Sequence, residues 1–390
     1  LSLSLSLSLS LSLSLTLCCL LYGSYKNRKT DKTRGVQENS MDSARDRFWR
    51  DGVVHLKGVL GLDEVDRLRN SLEDIFSRTD TKYVGARTDM SEAARNRKNA
   101  LDDRTRKTNK DGRYLTEIDA GRWHQGLRDF EFNSSLPSIA ANVLKTKELR
   151  FFMDHIFLKE GGSGLQTAMH QDLPYFPFQG EQCAVCWVPV DSVRASSGGM
   201  RYVRSSHLWR EFSPTTLITN ERTHDSPVPM LPSNIFEKDE NGTPLYDVLQ
   251  FDAEPGDVII HHPRTVHGSS GNVSESRRLA ASIRYVGDDI RWLSKPTIVP
   301  LNVIKSMWRA ERETPTHLFE RVSFISKYFG RRTLRKFGIF QAGHWFEDDY
   351  RNAYLWATLE MRDGDPLTAL DSSRLAFPVV WRSDSGVSRL

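Results

Sequence analysis

Cysteine is scarce: the 390 residues hold four, Cys18, Cys19, Cys183 and Cys186. Two fall in an anomalous leader and two in one predicted strand, so no disulfide framework is visible and a reducing intracellular compartment, such as the cytoplasm, is expected. Charge of one sign is also lacking. Lys and Arg number 54 against 50 Asp and Glu, a formal net charge of +4. So small an excess does not argue for nucleic acid; at most it helps to attract an anionic small molecule. From Met41 onward no hydrophobic run is long enough for a membrane span. No internal repeat occurs beyond the alternating Leu and Ser of residues 1–15. What is present suits a soluble globular protein: 38% hydrophobic and 27% charged residues, in a chain long enough for one large domain or two ordinary ones.

The Leu-Ser alternation is what a simple dinucleotide repeat yields when translated. The first Met is Met41, and residues 1–40 are expected to be an untranslated leader. The alternative is a signal anchor, because residues 1–22 are moderately apolar and Lys26, Arg28 and Lys29 follow. Against an anchor, Ser interrupts the apolar run at every second position up to Ser14, and no positive charge precedes it.

Beyond Met41, GVVHLKG predicts a strand and the following LDEVDRLRNSLEDIF a helix. Asp63 is placed to cap that helix, and Val65, Leu68, Leu72, Ile75 and Phe76 recur at helical spacing. Residues 80–113 are dense in charge and poor in large apolar residues, which predicts a surface loop or insertion. A patterned core follows. LPSIAANVL reads as a helix; RFFMDHIFLK, QCAVCWVPV, GMRYVRSSH, GDVIIHH and RRLAASIRYV read as strands. Short strands between Gly, Ser and Pro turns predict an antiparallel sandwich or barrel, mostly β, with helices on an outer face. The resulting division is a leader (1–40), a mostly β domain (41–295), a helical insertion (296–358) and a C-terminal tail (359–390). In the insertion, Phe319, Val322, Ile325 and Phe329 share one helical face. That stripe suits packing on the core; a membrane-surface or partner helix is the alternative, since Arg331, Arg332, Arg335 and Lys336 cluster nearby.

The chemistry concentrates in MHQDLPYFPF, HHPRTVHGSSG and SESRRLAASIRY. Residues two apart on a strand share a face, so His170 and Asp172 would both aim inward and Gln171 away. His267 follows a predicted strand end. Two neutral imidazoles and a carboxylate on one face of Fe(II) leave positions open for a bidentate 2-oxo acid and dioxygen. A second carboxylate on that acid needs a buried cation, and the guanidinium fork of Arg278 matches it. Arg278 shares its strand face with Ala280 and Ser282, small enough to leave room. Arg284 has the same parity and is the second candidate for the clamp or a substrate contact; Arg277 points outward.

The segment from about Trp123 to Val286 resembles the phytanoyl-CoA dioxygenase family of Fe(II)/2-oxoglutarate oxygenases. HQDLPYFPF is similar to its metal-binding stretch, SSGGMRYVRSSH to its Gly…Ser-His segment and GDVIIHHPRTVHGS to its second-His segment. DGDPLTALDSSRLAFPVVW resembles a tail of some bacterial-type members. The resemblance implies a double-stranded β-helix (a cupin-like jelly roll) that binds Fe(II) through His170, Asp172 and His267. It implies 2-oxoglutarate held by Arg278 and Ser269, with Trp187 lining the pocket and Gln171 and Lys159 nearby. O2 is the oxidant, ascorbate a candidate reductant, and the expected reaction is hydroxylation of a small organic or acyl substrate with release of succinate and CO2. Asp172 argues against a halogenase, where a small residue frees a position for halide. Ser196-Ser197 and Arg204-Ser205 depart from the family's usual residues in a loop that bears on substrate.

Other readings compete. Cys183 and Cys186 form a CxxC, but their spacing on a strand sets the thiols on opposite faces and no second CxxC completes a zinc site. His261 and His262 rival His267 as ligands; His267 is preferred because Gly268 to Gly271 and Arg278 follow it at the family spacing. Tyr175, Phe176 and Phe178 suit a substrate cleft or an aromatic core equally. A catalytically silent jelly-roll binding protein is the alternative function. The pattern names neither the substrate nor the oligomeric state.

Overall fold

Alternation in RRLAASIRYV decides the sheet that carries it. In the computed structural model, which describes residues 42–79, 87–92, 112–218, 220–222, 227–293, 364, 366 and 379–383, this segment is strand β12 (Arg278–Val286), buried along its whole length. Leu279, Ala281, Ile283 and Tyr285 face a helical layer in one apolar cluster. Arg278, Ala280 and Ser282 face the opposite way. A strand covered on both sides belongs at the centre of a sheet, and β12 pairs antiparallel with β4 (Glu148–Lys159) and β7 (Cys183–Pro189).

The major sheet continues outward from that centre. On one side lie β10 (Val258–His261) and β1 (Val53–Leu56). On the other lie β3 (Tyr114–Ile118) and β2 (Thr88–Asp89). β14 (Val379–Arg382), inside the stretch read as a tail, also pairs with β4. A second, four-stranded antiparallel sheet runs in the order β5 (Thr167–His170), β11 (His267–Ser269), β8 (Met200–Val203) and β9 (Val248–Gln250). β6 (Phe178–Gln179) and β13 (Arg291–Trp292) form a two-stranded pair. Two antiparallel sheets with an interior between them are the sandwich expected from the strand pattern, in the jelly-roll form that the resemblance implies.

Helices cover the outer face of the major sheet. They are α1 (residues 42–51), α2 (Leu62–Ser77), α3 (Gln125–Asn133) and α4 (Leu136–Leu144). α2 buries Val65, Leu68, Leu72 and Ile75, the spacing its sequence shows. Its N-cap is Gly61, not Asp63; the Glu64 carboxylate accepts from the Gly61 N–H at 3.0 Å, while Asp63 sits in the first turn and accepts from Arg67. α1 was not foreseen, because its buried residues, Ala44 and Phe48, are too few to show a period. β2 falls within the charged stretch 80–113, where Arg87 donates to Glu117 at 3.0 Å. Neither the leader 1–40 nor the helical stretch 296–358 is among the described residues.

The two cysteines of the CxxC are unpaired and buried on opposite faces of β7: Cys183 packs with Phe178 and Trp292, Cys186 in the helix-side core. Burial pushes both thiols up. Among the described residues no helix is long and apolar enough to cross a membrane.

Candidate active site

Register places the first two ligands. β5 and β11 are adjacent, and His170 and His267 are direct cross-strand partners, so their side chains leave the minor sheet on the same face. Their ring centroids are 4.3 Å apart. Gly268 lets the strands come this close: a Cβ there would stand 2.6 Å from the Thr167 carbonyl oxygen.

Asp172 arrives differently from the expectation. β5 ends at His170, and Asp172 is the N-cap of a single turn of 3-10 helix, Leu173–Tyr175, with helical backbone angles. The Asp172 and Leu173 N–H groups both donate to the Pro263 carbonyl, at 2.7 and 3.0 Å. The chain turns and is anchored to the loop before His267; strand alternation is not what aims the carboxylate.

The result is a three-sided site. The Asp172 Oδ1 atom lies 3.3 Å from His170 Nε2 and 3.8 Å from His267 Nε2, and one donor atom from each residue falls within 4.8 Å of the others. His170 Nδ1 is 2.8 Å from the Ala168 carbonyl and His267 Nδ1 is 2.9 Å from that of Thr265. A carbonyl only accepts, so each Nδ1 donates a proton and Nε2 is the nitrogen turned toward the other two ligands. Burial, with His170 beside it, pushes His267 down to about 4, which keeps that imidazole neutral. Burial alone would raise Asp172, but Arg284, His267 and His170 outweigh it and hold its carboxyl well below the usual range. Two buried imidazoles and an ionised carboxylate meeting at one point are a donor set that fits a divalent transition metal.

Arg284 was read as a second clamp or a substrate contact. Its Nη2 instead donates to Asp172 Oδ2 at 3.2 Å. Parity alone could not show this, since it depends on where the turn after β5 carries Asp172.

The remaining predicted residues divide into two groups. Arg278, 1% exposed, projects into the interior with Cζ 5.6 Å from the Trp187 ring centroid. Its Nε is buried with no hydrogen-bond partner, and no carboxylate among the described residues pairs with it. Trp187 Nε1 is likewise buried and unpartnered. Ser269, Lys159 and Gln171 are engaged by the chain itself. Lys159 Nζ donates to Leu165 O, Ser269 Oγ and Ser270 O at 3.0, 2.8 and 2.9 Å. Ser269 in turn donates to Thr167 Oγ1 at 3.0 Å, which is bonded to the Tyr114 hydroxyl at 2.9 Å. Gln171 clamps loops: its amide donates to the Arg210 and Arg264 carbonyls and accepts from the Phe212 N–H.

His261 points into the interior, its ring 4.3 Å from that of His267. His262 packs beside Phe48, Trp49 and His207 on the other side of the strand. Phe176 and Phe178 belong to a buried cluster with Phe152 and Trp292, while the Tyr175 hydroxyl donates to the Thr215 carbonyl.

The sequence profile described as phytanoyl-CoA dioxygenase (PhyH) matches residues 48–280, more than half of the chain, and spans His170, Asp172, His267 and Arg278. The chain belongs to the phytanoyl-CoA dioxygenase family. A probable phytanoyl-CoA dioxygenase of Caenorhabditis elegans is 30% identical over 127 residues, covering 31% of this chain and 36% of that protein. The peroxisomal phytanoyl-CoA dioxygenase of Homo sapiens is 26% identical over 144 residues, covering 35% and 38%. The matches thus span well under two thirds of these relatives' own length. Among solved structures, the epimerase SnoN in complex with Fe3+, alpha ketoglutarate and nogalamycin RO superposes with a TM-score of 0.54 and 19% identity, over 88% of this chain and 100% of that one. At that identity the likeness shows a shared fold.

Proposed function

We propose that this member of the family is an Fe(II)/2-oxoglutarate-dependent dioxygenase that hydroxylates a small organic or acyl substrate and releases succinate and CO2. The observation that carries the reading is Arg278. A guanidinium 1% exposed, without a carboxylate partner among the described residues, faces the interior that also holds the His170–Asp172–His267 triad. Burying a cation alone is costly, and a dicarboxylic 2-oxo acid spanning from the metal to Arg278 offsets that cost.

The residues divide the work. His170 Nε2, His267 Nε2 and Asp172 Oδ1 would hold the ion. Arg284 engages the other carboxylate oxygen, so Oδ1 is the Asp172 atom that would face the metal. Arg278 would receive the distal carboxylate of 2-oxoglutarate, with the Ser269 hydroxyl turning its proton from Thr167 to the acid, and Trp187 walls the pocket. Lys159 supports Ser269 and Gln171 holds the loops around the site. Bound iron with 2-oxoglutarate and O2 supplies the oxidising power, with ascorbate as an accessory reductant. The two unpaired thiols suit a reducing compartment.

Anaerobic addition of Fe(II) and 2-oxoglutarate tests the proposal. The expected result is a weak visible charge-transfer band that His170→Ala abolishes, with succinate formed on admitting air. A binding protein without activity shows neither band nor succinate. A screen of candidate substrates, read as substrate-dependent succinate and an added oxygen atom by mass, then identifies the substrate.

A further inference from the structure

Two buried polar residues on the interior wall have no role in the family resemblance. Tyr202 lies on β8 directly across from His267 on β11, 0% exposed, and its hydroxyl has no hydrogen-bond partner. His261 closes β10 of the major sheet, 1% exposed, and neither of its ring nitrogens has a partner. The two rings are 5.2 Å apart. Each also flanks His267: the Tyr202 ring lies nearly parallel to it at 6.1 Å, and the His261 ring is 4.3 Å away. Tyr202 lies within electrostatic reach of both Asp172 and Arg278.

Buried polar groups are almost always hydrogen-bonded, and an unmet buried donor costs its full desolvation. Here three unmet polar atoms, one hydroxyl and two ring nitrogens, stand together. The unmet Trp187 Nε1 and Arg278 Nε line the same interior. His261 does not join the metal-ligand group formed by His170, Asp172 and His267, so its nitrogens are left for another partner. An apolar wall would satisfy the fold at both positions, and neither ring holds any described element in place through a hydrogen bond. Groups of this kind, standing beside His267 in the interior that Arg278 also enters, match a small anion rich in acceptor oxygens.

We propose that Tyr202 and His261 are binding residues for the 2-oxo dicarboxylic acid, donating hydrogen bonds to its carboxylate oxygens beside the metal. This rests on the proposed function and extends it. The acid is gripped at its far end by Arg278 and Ser269 and along its near end by a hydroxyl and an imidazole drawn from the two facing sheets. The site therefore reads the acid at both ends and discriminates against 2-oxo monocarboxylates and plain dicarboxylates alike.

Tyr202→Phe and His261→Phe remove the polar atoms and keep the rings, and His261→Asn restores a donor. Each is loaded with Mn(II) in the absence of oxygen. Metal affinity and 2-oxoglutarate affinity are then measured separately by calorimetry, with thermal unfolding as a check on the fold. The expected result is 2-oxoglutarate binding about 10- to 150-fold weaker in each Phe variant, the loss of one buried hydrogen bond to a charged group. Mn(II) affinity should stay within about twofold, and His261→Asn should recover part of the loss. Unchanged 2-oxoglutarate affinity in folded Phe variants overturns the inference. So does a parallel fall in metal affinity, which would make the two residues supports of the metal site. If the Mn(II)-loaded unsubstituted protein does not bind 2-oxoglutarate, the proposed function itself fails, and this extension with it. Should a Phe variant fail to fold, Tyr202→Leu and His261→Leu, which also remove the donor, carry the same comparison, and 2-oxoglutarate affinity matching the unsubstituted protein in both again overturns it.

Discussion

Replacing Arg278 by Met should strengthen the empty protein while crippling the filled one. In the structure Arg278 is 1% exposed and its Nε is unpartnered; burial lowers its proton affinity below the ordinary arginine value. The ring of Trp187, with Cζ 5.6 Å from its centroid, offers only a partial substitute for water. Methionine has a similar reach and no charge. Swapping a poorly compensated buried ion for an apolar side chain typically gains about 1–4 kcal/mol. Urea unfolding of the metal-free protein should therefore show a higher midpoint for Arg278→Met. Binding moves the other way. Loss of a bidentate, charge-assisted contact to a carboxylate should cost about 3 kcal/mol or more, roughly two orders of magnitude in the 2-oxoglutarate dissociation constant. Arg278→Lys, which keeps charge without the fork, should fall between. The reasoning is refuted if Arg278→Met destabilises the metal-free protein by about 2 kcal/mol and leaves 2-oxoglutarate binding intact, since the guanidinium would then be serving the fold.

Arg284→Met should act in the reverse sense. It strips the 3.2 Å partner from buried Asp172, and breaking such a pair costs about 3–5 kcal/mol in the metal-free protein. Saturating Ni(II) supplies the missing positive charge, so the deficit in unfolding free energy should shrink; an equal deficit with and without Ni(II) contradicts the assigned role. A third prediction concerns the buried carboxyls under α3. Burial, then the neighbouring Asp154, holds Glu131 well above its ordinary value; burial, with Asp119, pushes Asp154 up to about 6, and burial pushes Glu117 up to about 7. The folded chain keeps these protons where the unfolded chain releases them. Each group therefore erodes stability as pH rises above its unfolded value, by up to about 1.4 kcal/mol per pH unit, until its folded value is passed. Glu131→Gln should flatten the decline between pH 5 and 7, measured as urea midpoints, and be the more stable protein at pH 7. An unaltered slope would show Glu131 to be ionised in the fold.

Much of the site could be read from the sequence because its parts lie in short, patterned segments. RRLAASIRYV announced its two faces, and they divide as expected between the helix-side core and the interior. QCAVCWVPV set its two thiols on opposite sides, as found. What the sequence hid has a common origin. Asp63 looked like a cap, but Gly61 took that position because Glu64 could reach back to its N–H. Lys159 and Gln171 look alike in a motif whether they contact a ligand or the backbone; which they do depends on carbonyls far along the chain, at Ser270 for one and Arg264 for the other.

The sequence alone determined which side chains could serve a metal and an acid, and which face of each strand they occupy, because those depend on residue type and a two-residue period. It could not determine how the chain leaves β5, so Asp172's approach through a 3-10 turn, and its meeting with Arg284, were settled only when the loop before His267 closed over it. The pairing of His261 with Tyr202 was equally invisible. They stand 59 positions apart on different sheets, and contacts of that kind are set by how two sheets face one another, which no local pattern encodes.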